Sequence, residues 1–264
     1  MQGAAEPLPQ CIAHEREGRT RMLLRFLRAD GFDLAAAERR IRSHAEWWLD
    51  NADMDVAVTS VAQDEPAQNV GTPLCTCCGL APCPHADLIA PAGFDVWGHP
   101  VLVARPSVHV PPSIEHSSTW GGVWGRSEPI DPASAAASSA YTASAVRATV
   151  HTVARCCDLM ARHDMPSDGM LLLFDCRGLS TANWDVEYTK QLVALFGAHF
   201  PERAFSVVVL FNSWAVSGLW ALVCPLLPKE LVARVVFCGH DLGKAAVYLG
   251  DDHPYLTAAG HTRE

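Results

Sequence analysis

Ligand chemistry in this chain is concentrated first in CTCCGLAPCPH, residues 75 to 85. Cys75 and Cys78 have the Cys-x-x-Cys spacing that lets two thiolates share one tetrahedral metal ion. Cys83 and His85 complete a four-ligand set for zinc, with Cys77 as a spare. Against that reading, Cys83 and His85 stand in a tight Pro82–Pro84 segment, and no second well-spaced pair follows. The competing reading is an insertion carrying free thiols. A metal there would staple the loop without catalysing, because no positioned acid or base accompanies it.

The remaining candidates for catalysis are weak. His151 with Cys156 and Cys157 suggests a thiol and its base, but a spacing of five on a helix does not set them side by side. GGVWG, residues 121 to 125, lacks the Lys-Ser/Thr that completes a phosphate-binding loop. Asp175 closes the apolar run MLLLFD, a position where α/β enzymes often keep functional groups. No enzyme is expected from these residues.

Bulk composition narrows the classes further. Of 264 residues, 49% are hydrophobic and 19% charged, a balance that fills a globular core. The formal net charge of -9 gives no general affinity for nucleic acid or anionic membranes. Met1 to Gln10 lacks the basic start and apolar run of a secretory signal. Trp214 to Pro228, the longest apolar stretch, falls short of the roughly 20 residues needed to cross a bilayer and contains Pro225. Ten cysteines, four of them clustered, do not form an evenly spaced disulfide framework, so a reducing cytosol is expected.

Several elements must position any site. Arg19 to Ala29 places Met22, Leu23, Phe26 and Leu27 on one stripe and Arg21, Arg25 and Arg28 on the other. Gly31 breaks that helix and Asp33 caps the next, which carries Leu34, Ala37, Ile41, Ala45 and Trp48. The pair forms a hairpin whose arginines read mostly as a solvated face. HPVLVAR, residues 99 to 105, reads as a short strand, Pro106 to Asp131 as a loop, and Ala133 to His163 as a long helix. Tyr141, Ala145, Ala148, Thr152 and Leu159 are inner positions of that helix. MLLLFD (170 to 175), FSVVVLF (205 to 211) and RVVFC (234 to 238) read as buried strands, with an amphipathic helix from Trp184 to His199. Strand–helix–strand order predicts an α/β fold: a helical N-terminal hairpin followed by a mixed, mostly parallel sheet covered by helices. Three regions are expected: 1–55, helical; 56–92, a Cys-rich insertion; and 93–264, the main lobe.

Four segments, in order, resemble the CRAL-TRIO (Sec14-like) family of lipid-binding domains. Residues 23 to 48 are similar to that family's helical lead-in. Asp95, Gly98, Pro100 and Val101 in GFDVWGHPVLVARP match its "D-x-x-G-x-P-V" pattern. LLLFDCRGLS matches its strand ending in Asp before a glycine turn, here Asp175 and Gly178. FPERAFSVVVLFNSWAVSGLWALVCPLLPKELVARVVF, residues 200 to 237, resembles its most characteristic stretch, where "Y-P-E-R" precedes a strand, an Asn turn, a gate helix and "K-P-F-L".

The resemblance implies a hydrophobic cavity floored by the sheet and closed by a mobile helix, Ser213 to Val223. Trp214, Leu219, Trp220 and Val223 would belong to that gate, and Leu172 and Phe174 to the floor. By motif, Glu202, Arg203 and Arg234 would meet a phosphoinositide headgroup, guanidinium forks suiting phosphate oxygens. The competing reading of these three is an ion pair closing a turn. Cys224 replaces the usual Lys before "P-F-L". Met170, Leu171, Leu172 and Leu173 replace the hydroxyl-bearing strand of choline-lipid exchangers, so a sterol-, tocopherol- or retinoid-like ligand suits the lining equally. Burying sixteen methylenes gains roughly 12 kcal/mol gross. A bilayer offers a tail nearly the same environment, so exchange needs a gate and no energy source. The implied partners are a lipid or other hydrophobic small molecule and, transiently, a membrane surface met from the cytoplasm, with no nucleic acid and no required cofactor. The alternative is a module of the same fold that has lost its cargo and binds a protein.

Overall fold

Phe32 and Asp33 decide how the chain starts. The backbone turns left-handed at Gly31 and Phe32, ending helix α1 (Arg19–Ala29). Asp33 then accepts the Ala36 amide at 3.0 Å and caps helix α2 (Leu34–Asp50). Met22 and Phe26 meet Ile41 and Ala45 in a small core of their own. The computed structural model describes residues 19–51, 84–85, 87–111, 132–162 and 168–261. Most of the expected insertion, including Cys75, Cys78 and Cys83, and most of the loop before Asp131 lie outside them.

The sheet has five strands in sequential order: β1 (Ile89–Phe94), β2 (Pro100–Ala104), β3 (Met170–Asp175), β4 (Ala204–Leu210) and β5 (Val235–Gly239). β1 pairs antiparallel with β2, and the other neighbours are parallel. Right-handed crossovers between parallel strands laid down in sequential order put every connecting helix on one face. Those helices are α3 (Pro132–Arg162), α4 (Val186–His199), α5 (Trp214–Val223) and the short α6 (Lys229–Val232). After β5 the chain crosses to the other face, where α7 (Leu242–Leu249) and α8 (Pro254–Ala258) cover it.

β1 is an element the sequence reading did not contain, since Ile89 to Ala92 fell within the insertion. Pro91 and Gly93 hide it, and an edge strand tolerates both. The hairpin α1–α2 docks on the end of α4. There the His199 ring stacks on Trp47 with centroids 4.3 Å apart, and Trp47 meets Phe200 edge-on. Arg25, expected to be solvated, is buried and donates to the Pro201 carbonyl at 3.3 Å. No helix among the described residues is long and apolar enough to cross a membrane.

Candidate functional site

The two faces of the sheet are packed differently, and β3 shows it best. Leu171 and Leu173 point toward α7 and α8, with Val101, Val103, Val208 and Leu210 around them, and both are fully buried. Leu172 and Phe174 point to the opposite face and remain partly exposed, although strands flank them on both sides. A central-strand leucine stays accessible only where the layer above it does not close.

Cross-strand register extends that floor. Leu172 lies beside Leu102 and Val207, and Val207 beside Val235; Phe174 lies beside Ala104 and Val209, and Val209 beside Phe237. Phe237 on the edge strand is 39% exposed. Helix α4 has no fully buried residue, and Leu192, Leu195 and Phe196 pack only partly against the cluster containing Leu172.

Helix α5 closes this face. Ala215 and Val216 are its buried residues, and Leu219 joins Val216 over Val207, Val209 and Phe174. Trp220 meets Phe237 edge-on at 5.4 Å. Gly218 permits close approach to Trp184: a Cβ there would lie 2.8 Å from Trp184 Cη2. Trp214, expected in the gate with Leu219, Trp220 and Val223, is 72% exposed on the outer side, with Leu222 and Leu226 also exposed further along. Val223 is half-buried beside the short turn Cys224–Leu226. The segment thus shows apolar groups both inward, toward the floor, and outward, toward solvent.

The three headgroup candidates gather at the N-terminal ends of β4 and β5, roughly 20 Å of strand away from the start of α5. The Arg234 guanidinium donates to Glu202 Oε2 at 3.2 Å and to the Ala204 carbonyl at 2.8 Å. This pair remains about one-third exposed. Arg203 turns inward and donates to the Asp168 carbonyl at 2.9 Å, while the Asp168 carboxylate meets Arg21 at 3.5 Å. Glu202 and Arg234 therefore form an open surface pair, and Arg203 braces the turn from beneath.

His85, the described member of the expected metal set, is buried against α3. Its Nε2 meets the Ser144 hydroxyl and its ring lies edge-on to Tyr141. It borders a polar seam that sequence reasoning missed. His109 Nε2 and Asp185 Oδ2 are 3.0 Å apart, and Thr142 donates to the same oxygen at 2.7 Å. The His109 ring stacks on Tyr188, whose hydroxyl meets Thr149 at 2.8 Å. Burial pushes the Asp185 carboxyl up, but His109, the Tyr188 amide and Thr142 outweigh it and hold it below the usual range. Burial and neighbouring His109 lower His85. These partners lie up to 76 positions apart, so no local signal marks them. The seam ties the chain after β2 to α3 and α4.

Asp175, expected to accept turn amides, accepts the Arg177 amide at 3.2 Å and also both arms of the Arg177 guanidinium. Burial opposes its ionisation, and Arg177 with Tyr255 more than offsets that, leaving the carboxyl below the usual range.

The sheet thus has one sealed face and a second on which Leu172, Phe174 and Phe237 stay partly exposed among the buried Leu102, Val207 and Val209, with a helix apolar on both sides packed across it. A family model described as CRAL/TRIO domain matches residues 88–248. The chain belongs to the CRAL/TRIO domain family, a family of lipid-binding and lipid-transfer modules. It is 31% identical over 72 residues to the phosphatidylinositol transfer protein CSR1 of Eremothecium gossypii, which is 27% of this chain and 16% of that protein. The crystal structure of Sfh5 superposes with a TM-score of 0.55 at 11% identity, covering 83% of this chain and 66% of that one. At that identity the likeness speaks to the fold alone. The chain thus spans a minor part of the transfer protein it matches and just under two thirds of Sfh5.

Proposed function

We propose that this protein holds one hydrophobic ligand or phospholipid between the open sheet face and α3, α4 and α5, and exchanges it at the cytoplasmic surface of a membrane. The observation that carries this is the contrast within β3: Leu171 and Leu173 are sealed while Leu172 and Phe174 stay partly exposed. The tail lies on Leu172, Phe174, Val209 and Phe237, and α5 swings outward on its exposed Trp214 and Leu222 edge to admit it. Phosphatidylinositol is the proposed phospholipid. Arg234 is the cation positioned to grip its phosphate, Glu202 accepts from an inositol hydroxyl, and Arg203 holds their turn in shape. The similarity to a phosphatidylinositol transfer protein supports that choice.

Transfer of fluorescent phosphatidylinositol between vesicles tests this reading. Trp220→Asp places a charge where the gate meets Phe237 and should abolish transfer with the fold intact. Arg234→Gln should slow phosphatidylinositol transfer by about tenfold, the value of one lost charge-assisted contact, and spare an uncharged fluorescent sterol. Unchanged transfer by Trp220→Asp would refute the gate assignment. Equal losses for both ligands in Arg234→Gln would assign Arg234 to folding.

A further inference from the structure

Three non-glycine residues among the described ones have a positive φ, and two of them bracket β4: Glu202 at 58° and Phe211 at 55°. A bulky aromatic residue pays a steric cost in the left-handed region, and such strain persists only where surrounding contacts impose it. Phe211 is the first residue after β4 and begins the turn into α5. Its amide donates to the Gly239 carbonyl at 2.6 Å, and its ring lies edge-on to His240. Over the same ring sits Arg177, its guanidinium carbon 4.7 Å from the centroid.

Arg177 is itself anchored. Its Nη2 donates to Asp175 Oδ2 at 2.6 Å and its Nε to Asp175 Oδ1 at 2.9 Å, which fixes the plane of the fork. Asp175 is buried at the end of β3, the most central strand, so the anchor is rigid. The guanidinium remains half-exposed. The far end of the gate segment has a matching fastening, where Arg234 holds the Ala204 carbonyl and Glu202, the other strained residue. The segment from Phe211 to Arg234 thus meets an arginine at each end: Arg177, anchored to Asp175 of β3, lies against Phe211, and Arg234 is itself held to Ala204 and Glu202 at the start of β4.

We propose that Arg177 is the positioning residue of the gate. Clamped by Asp175, it presses Phe211 into its strained turn and so holds α5 closed over the ligand face. This rests on the proposed lipid-exchange reading for its purpose but not for its geometry. When the Arg177–Phe211 contact breaks, the turn relaxes toward negative φ and α5 loses its fixed starting direction. Lysine cannot reproduce the effect, because a point charge does not stack flat on a ring while gripping a carboxylate with two parallel donors.

Hydrogen–deuterium exchange of the full chain, followed by peptide mass spectrometry, tests the latch without any lipid. In Arg177→Gln, amides of residues 211–228 should exchange on the order of fivefold faster, the scale of one lost cation–π contact and its anchor. Peptides from β3, α3 and α7 should keep their wild-type rates. Arg177→Lys should fall close to Arg177→Gln despite retaining the charge. Phosphatidylinositol transfer should accelerate in both variants. Unchanged exchange at 211–228, or faster exchange spread equally over β3 and α7, would overturn the latch. A wild-type protein that transfers no lipid while Arg177→Gln still frees 211–228 would refute the lipid reading and leave the latch standing.

Discussion

Replacing Leu173 with alanine removes a fully buried side chain from the sealed face of β3, where Val103, Val208 and the α7–α8 layer surround it. Lost transfer energy and the new void together cost about 3 kcal/mol. Leu172, one residue earlier, already borders open space, so its truncation enlarges an existing gap and should cost about 1 kcal/mol, mostly transfer energy. With a urea m-value of about 3 kcal/mol/M for a chain of this size, the midpoint should drop by about 1 M for Leu173→Ala and by about 0.3 M for Leu172→Ala. The titrations must use lipid-stripped protein, because bound ligand stabilises the folded state by mass action. Ligand retention should show the opposite order. Leu172→Ala loses tail contact worth about 1 kcal/mol, roughly a fivefold weaker hold, and Leu173→Ala leaves retention per folded molecule unchanged. Equal destabilisation by the two substitutions would mean that both faces are closed cores, and the container account would fall.

The gate and the hairpin give two further expectations. Gly218→Ala should push α5 away from Trp184, red-shift tryptophan emission and speed lipid transfer; unchanged emission with a gain in stability would show that Trp184 simply yields. His199 lies at about pH 4, lowered first by burial and then by His44 and Arg40. Between about pH 4 and 6.5 the unfolded chain therefore binds a proton that the folded chain does not, so stability should fall as pH drops through that window and stay flat above it. The half-buried ring limits the slope to about 1 kcal/mol per pH unit at most. His199→Gln should make the curve shallower, leaving the part carried by His85 and His253, both also lowered by burial, whereas wild-type stability that is constant from pH 7 to 4.5 would contradict this assignment. Asp175 and Asp185, both held low, lose their contributions only as pH falls from the unfolded carboxylate range near 4 through their lower folded values.

Much of the architecture was legible because its signals are local. MLLLFD is a short apolar run between breakers, the pattern of a buried strand, and Asp33 caps α2 through an amide three residues away. The family resemblance marked α5 as the expected gate and Leu172 and Phe174 as its expected floor. What stayed hidden depends on residues far apart. Nothing in three consecutive leucines tells Leu172 from Leu173; only the register against β2 and β4 assigns each a face. Arg25 looked solvated because its helix partners are basic, yet the Pro201 carbonyl comes from the far end of α4. The motif placed Arg203 and Arg234 together, and only the structure distinguishes the inward brace from the open cation. Phe211 carries no mark of strain in its sequence.

Native mass spectrometry of the purified full chain, with organic extraction of whatever accompanies it, tests the central claim most directly. The account predicts a mass raised by one lipid per chain, acquired either during expression or on incubation with mixed-lipid vesicles. Extraction should yield phosphatidylinositol, whereas a sterol-like or retinoid-like molecule would keep the container and discard the headgroup assignment. A clean protein mass that vesicles containing all of these leave unchanged would contradict the account and turn this fold into a surface for binding other proteins.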